Sequence, residues 1–177
     1  MKVFQAGIAA ALILATAGPA AARDIERYKN AGPTPSPILQ GVFVPAGTDL
    51  MILSGQLAAP IDPAKPMSPT LTLADFGDTK TQTISAFTKI KTILESKGYK
   101  MSDIVKLTVF VAGDPAKGGK MDFAGMNEGY KMFFGTAENP NIVARSALQV
   151  AALAAPWALV EIEATAAKAP PAPTKKK

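Results

Sequence analysis

Three features of the sequence predict a single α+β domain, a mixed sheet carrying two helices on one face. Of its 177 residues 48% are apolar and 19% charged, which is enough apolar material for a real core. Two stretches, behind Asp78 and behind Asp122, place apolar residues at helical spacing after a capping carboxylate. Around them lie five stretches of strand character, in the order strand, strand, helix, strand, helix, strand, strand. No repeat of solenoid length breaks this order.

Each element follows from local chemistry. Residues 1–22 (MKVFQAGIAAALILATAGPAAA) join Lys2 to an apolar stretch from about Ala6 to Ala17, a Gly18-Pro19 break and the A-x-A pattern of Ala20 and Ala22. That is the pattern of a signal peptide cleaved near Ala22, with an apolar stretch too short to span a bilayer. The mature protein is therefore expected to be exported, to the periplasm of a Gram-negative source, with no stable membrane insertion. Residues 23–34 read as a polar leader, and the domain is expected over 35–167.

Gln40 to Val44 and Leu50 to Leu57 read as two strands, joined into a hairpin by the turn Pro45-Ala46-Gly47-Thr48-Asp49. Ala58 to Asp78 is a loop in which Pro60, Pro63, Pro66 and Pro69 recur every third residue. That spacing lines one edge of a polyproline II helix, though with no partner in evidence it describes a stiffened surface loop. Asp78 caps a helix with the stripe Ile84, Phe87, Ile90, Ile93 and Leu94, which runs out at Lys97 and Gly98. Val105, Leu107, Val109 and Val111 alternate with Lys106, Thr108, Phe110 and Ala112, which is a strand. Asp122 caps the second helix, with the stripe Phe123, Met126, Tyr130 and Phe133 or Phe134 and a stop at Gly135. Strands at Ala144 to Val150 and Leu159 to Thr165 close the domain, joined across Ala155-Pro156-Trp157. Residues 168–177 (KAPPAPTKKK) are a Pro- and Lys-rich solvated tail.

Composition removes whole classes of chemistry. There is no cysteine and no histidine, which excludes disulfides, Cys/His zinc sites, thiol nucleophiles, Ser-His-Asp triads and histidine acid-base catalysis. The net charge of +5 sits at the ends: without Lys2, Lys168, Lys175, Lys176 and Lys177, fourteen basic residues face fourteen acidic ones. A near-neutral domain does not present the basic surface of a nucleic-acid binder.

What remains is a short set of candidates. Arg23, Arg27 and Arg145 are the only arginines, and Arg145 alone falls in the predicted core, at the start of a strand. A guanidinium keeps its charge, so it must meet carboxylates of the chain or a ligand anion, and its fork suits a small carboxylate. Glu161 and Glu163 share one face of the last strand, and an antiparallel neighbour could bring one of them near Arg145. Such a carboxylate could handle water or a leaving amine. Ser54-Gly55-Gln56 reads either as a bulged strand end or as backbone that a ligand can approach closely.

Taken in order, SPILQG (Ser36 to Gly41), LSGQL (Leu53 to Leu57), DIVKLTVFV (Asp103 to Val111), FAGMNEGYKMFF (Phe123 to Phe134), ARS (Ala144 to Ser146) and VEIEA (Val160 to Ala164) resemble the Rid/YjgF family of imine deaminases. The resemblance covers roughly Pro35 to Ala166. It implies a chorismate-mutase-like fold and a homotrimer with ligand clefts between subunits. It also implies hydrolysis of reactive 2-imino acids, tautomers of enamines, to 2-oxo acids and ammonia, without cofactor or metal.

On that resemblance Arg145 clamps the substrate carboxylate, Glu161 positions or activates water, Ser54 with Gly55 lines the pocket wall, and the backbone at Ala147 binds substrate. Two positions depart from the family pattern: Ile38 where a tyrosine is common, and Ala147 where a cysteine is common. Losing those polar groups leaves an alternative open, a trimer that binds a small carboxylate or a protein partner without turning it over.

Overall fold

The computed structural model describes residues 23–169, so the expected export signal and most of the Pro/Lys tail lie outside the described residues. Six strands and two helices alternate along the chain: β1 (Glu26–Lys29), β2 (Leu39–Phe43), β3 (Asp49–Leu57), α1 (Thr79–Ser96), β4 (Ile104–Ala112), α2 (Phe123–Lys131), β5 (Ala144–Val150) and β6 (Val160–Lys168). They form one mixed sheet in the order β1-β2-β5-β4-β6-β3. The β2–β5 and β5–β4 pairs are parallel, and the others antiparallel. This is the α+β architecture that the helix and strand patterns predict.

Two features of the sheet depart from expectation. The stretch read as a leader contains β1, which pairs with β2. Arg27 holds it down by donating to the carbonyls of Ser102 (2.9 Å), Ile104 (3.1 Å) and Ile142 (3.1 Å). Three carbonyls satisfy a half-buried guanidinium that a polar-looking sequence gives no reason to bury. Second, β2 and β3 do not form a hairpin. The turn is present, with Thr48 Oγ1 donating to the Pro45 carbonyl at 2.7 Å, but β3 pairs with β6 at the far edge of the sheet. A turn reverses the chain without choosing its partner, and only beside β6 do Met51 and Leu53 reach the core.

The core lies between the helices and one face of the sheet. Leu107, Val109 and Val111 of β4 and Val160 and Ile162 of β6 are fully buried there, against Phe87, Ile90, Leu94, Met126 and Tyr130. Asp78 caps α1 by accepting the Thr81 N–H at 2.8 Å. The helix ends where Gly98, at φ +75°, lets Tyr99 N–H return to the Leu94 carbonyl at 2.9 Å.

Its buried face is rotated from the predicted stripe: Thr79, Gln82, Thr83 and Ala86 are buried, whereas Ile84 and Ile93 are only partly so. The cause is α2. A Cβ on Gly129 would stand 2.8 Å from Thr83 Cβ, so the two helices approach across small residues. In α2 the stripe holds at Met126 and Tyr130, but Phe123 is 45% exposed at the first turn.

A second, smaller cluster forms at one end of the sheet. Phe76 stacks on Trp157 with ring centroids 3.5 Å apart, joined by Ala58 and Ala158. The proline-spaced loop leading to Phe76 folds back on itself: Ile61 N–H donates to the Asp75 carbonyl at 2.8 Å, and Lys65 pairs with the Asp75 carboxylate at 2.6 Å.

Candidate active site

Arg145 lies beside Leu107 in the parallel β4–β5 ladder and therefore projects toward the helices. There α2 receives it. Its Nη2 donates to Asn127 Oδ1 at 2.7 Å, Nη1 lies 3.6 Å from Met126 Sδ, and Cζ sits 4.4 Å above the centre of the Tyr130 ring. Among the described residues no carboxylate pairs with it. Burial pushes the Arg145 pKa below its ordinary value, with Tyr130 opposing the shift, yet an arginine remains charged. The structural ion pair open at the level of sequence is not made, and a half-buried cation keeps donors for an anion. A cation over an aromatic face is oriented as well as stabilised.

Two other candidates belong to this side. Ala147 faces Val109 on the same side of the sheet, partly buried and packed against the core two residues beyond Arg145. Tyr130 donates its hydroxyl to the Pro37 carbonyl at 2.9 Å, bringing the start of β2 and the partly buried Ile38 toward the same helix. Sequence reasoning missed Asn127. It stands one residue past a core methionine and three before Tyr130, which marks it as a neighbour of that stripe.

Ser54, Gly55 and Glu161 assemble elsewhere. The β3–β6 register shifts between Leu53 and Gln56, so Ser54-Gly55 is a bulge. Glu161 pairs with Leu57 on one side and Phe110 on the other. Its carboxylate lies directly over Gly55: a Cβ there would stand 2.6 Å from the Glu161 carboxyl carbon. Glycine here makes room for an acid against backbone. Glu163 lies opposite Thr108, in a hollow of about 240 Å³ that also takes in Ser54, Lys106 and Thr165. A larger hollow of about 500 Å³, walled by Tyr99, Met101 and Phe133, holds none of the candidate residues.

The expectation that neighbouring strands bring Glu161 or Glu163 to Arg145 fails within one chain. β4 lies between β5 and β6, and its alternation decides the matter. Arg145 is level with Leu107 on the helix side, whereas Glu161 is level with Phe110 and Glu163 with Thr108 on the other. One chain thus places a half-buried guanidinium and a carboxylate lying on a glycine bulge on opposite faces of its sheet.

Comparison with known proteins places the fold in a family. A family model described as Endoribonuclease L-PSP matches residues 39–168. The 2-iminobutanoate/2-iminopropanoate deaminase of Salmonella typhimurium is 36% identical over 140 residues, covering 79% of this chain and 94% of that protein. A RutC family protein of Pyrococcus horikoshii is 40% identical over 92 residues, covering 52% of this chain and 64% of that protein. Among solved structures, the YjgF gene product of Escherichia coli is 34% identical with TM-score 0.50, over 79% of this chain and 91% of that one. Escherichia coli TdcF with bound serine is 30% identical with TM-score 0.52, over 83% and 99%. The matched stretch runs from β2 to the last residue of β6 and contains Ser54, Gly55, Arg145 and Glu161, and the chain belongs to the Rid/YjgF family.

Proposed function

We propose that the protein hydrolyses small reactive 2-imino acids to 2-oxo acids and ammonia. The observation that carries this reading is Arg145: a half-buried guanidinium, oriented by Asn127 and Tyr130 and unpaired with any carboxylate among the described residues. It binds the substrate carboxylate. Glu161, supported on Gly55, then orients a water toward the C=N carbon. Water adds to that carbon, and the resulting amino alcohol collapses with loss of ammonia to the carbonyl. Aligning two reactants is the main catalytic device, which requires neither histidine nor cysteine. Relatives that bear the deaminase name, at 36% and 34% identity, support the reaction class. The bound serine of TdcF, an amino acid with a free carboxylate, supports a site for small carboxylates.

The half-sites of one chain lie on opposite faces of its sheet, so the working cleft takes Arg145 from one copy and Glu161 from another, in a homotrimer. Residues 1–22 send the protein out of the cytoplasm, to the periplasm of a Gram-negative cell. The family model's name speaks of an endoribonuclease, but a near-neutral domain without histidine does not favour RNA cleavage here.

A trapping assay on the mature chain tests the reading. An amino-acid oxidase generates 2-imino acids, and semicarbazide competes with hydrolysis for them. The reading requires that the protein suppress semicarbazone formation and that Arg145→Ala fail to do so. The apolar Ile38 and Ala147, where the family resemblance implies tyrosine and cysteine, favour one alternative, a carboxylate-binding trimer. Saturable binding that depends on Arg145, with no turnover, would select it.

A further inference from the structure

Three polar side chains of α1 turn to backbone rather than to solvent. Gln82, Ser85 and Lys89 follow one another at spacings of three and four and so share one face of the helix. All three side chains bond to backbone on either side of Glu161. Gln82 is fully buried; its Nε2 donates to the carbonyls of Gly77 and Trp157, each at 3.1 Å, and its Oε1 accepts the Leu159 N–H at 2.8 Å. Ser85 Oγ accepts the Ala59 N–H at 2.9 Å. Lys89 Nζ donates to the Leu57 carbonyl at 2.9 Å and pairs with no carboxylate among the described residues.

These contacts coincide with the end of the sheet that carries the carboxylate. The β3 ladder finishes at Leu57 opposite Glu161, and the β4 ladder one pair beyond, at Val111 opposite Val160. The chain therefore leaves β3 at the residue facing Glu161 and is caught at once by Lys89 and Ser85. It approaches β6 through Trp157 and Leu159, both caught by Gln82, while Phe76 at the close of the proline-spaced loop stacks on Trp157. Glu161 itself forms no ion pair among the described residues and rests on Gly55, so its placement is inherited from this backbone.

We infer that Gln82, Ser85 and Lys89 are positioning residues for Glu161. The stripe holds the exit of β3 and the run-in to β6 at one separation, which sets where the carboxylate stands over the bulge. The inference deepens the imine-hydrolysis reading and rests on it. Burying a polar side chain costs free energy unless it is fully bonded, and an apolar residue would pack against α1 more simply. A displacement of about 1 Å in a reacting group costs on the order of 100-fold in rate, so small movements here are visible in turnover.

The test uses the whole mature chain with Ser85→Ala, Lys89→Met and the double variant, none of which removes a core side chain. Glu161→Gln serves as the reference and Lys91→Met, on the exposed side of α1, as the control. Under imine trapping the double variant loses about 10- to 100-fold in kcat with KM within about twofold of wild type. Lys89→Arg restores most of the rate. An unchanged kcat in the double variant would overturn the inference, as would a KM rising in step with the loss. Wild-type protein inactive toward every imine, with Glu161→Gln no different, would instead overturn the deaminase reading and this inference with it.

Discussion

Replacing Gly55 with alanine puts a methyl group where the Glu161 carboxylate now lies, 2.6 Å from its carboxyl carbon. The backbone does not object, because Gly55 is not among the glycines at positive φ. What must yield is the end of a flexible side chain. Turning Glu161 off its rotamer costs roughly 0.5–1.5 kcal/mol. Alanine's smaller unfolded-state entropy returns about 0.4–1 kcal/mol. The fold should therefore hold within about 1 kcal/mol, or roughly 2–4 °C in Tm for a chain of this size. Activity should not hold: general acid–base assistance contributes about 100- to 10,000-fold, and the displaced carboxylate forfeits it. Thermal melting by Trp157 fluorescence, paired with kcat under imine trapping, reads both sides. Wild-type turnover in Gly55→Ala would refute the placement of Glu161 as the group that orients water. A Tm lower by more than about 10 °C would show that the backbone itself had to move.

Arg145→Ala should raise KM about 10- to 150-fold, the equivalent of losing charge-assisted hydrogen bonds of roughly 1.5–3 kcal/mol, and Arg145→Lys should recover only part of it because the planar fork is gone; steady-state kinetics on the trapped imine decides. Gly129→Ala drives a methyl to 2.8 Å from Thr83 Cβ and should cost about 1–3 kcal/mol, read by calorimetry, and an unchanged Tm would show slack between the helices. Asp75 is held at a pKa of about 2, first by the hydrogen bond from Lys65 and then by Thr72. Its folded pKa lies below the ordinary 3.8, so its stabilisation of the loop is complete above that value and is lost as pH falls through about 2. Carboxyl NMR should find that midpoint, and Lys65→Met should move it upward.

The legible parts of this fold were those written in local chemistry. Asp78, Asp122 and Gly98 announce helix ends because capping is satisfied within a few residues. β4 announces itself because one face of it meets the core and the other does not. Partner choice was not local. Nothing near Asp49–Leu57 says that it pairs with β6 across more than a hundred residues, and a turn beside it suggests otherwise. β1 was hidden for a similar reason: ERYK has no apolar alternation, and its place depends on Arg27 reaching three carbonyls far away in sequence. Of the site, Arg145 stood out by scarcity and Gly55 by the SGQ motif. Asn127, Gln82 and Lys89 did not, since a polar residue on a helix usually means solvent.

The opposite-face geometry bears on how the protein works as much as on where its residues are. On the proposed mechanism a clamp and a water-orienting acid must both reach one small substrate, with reacting atoms about 3–3.5 Å apart. A sheet interior stands between Arg145 and Glu161, so no side-chain rotation brings them together within a chain. Glu161's face also carries Leu50, Ile52 and Leu148, exposed by 54%, 78% and 42%, an uncovered apolar group on the same side as the carboxylate. Another copy docking there would bury those side chains in the same event that completes the cleft. In the proposed trimer, assembly and catalysis then share one surface. Free monomers would leave reactive imines untouched because each holds the two halves apart, even with every site residue present and folded.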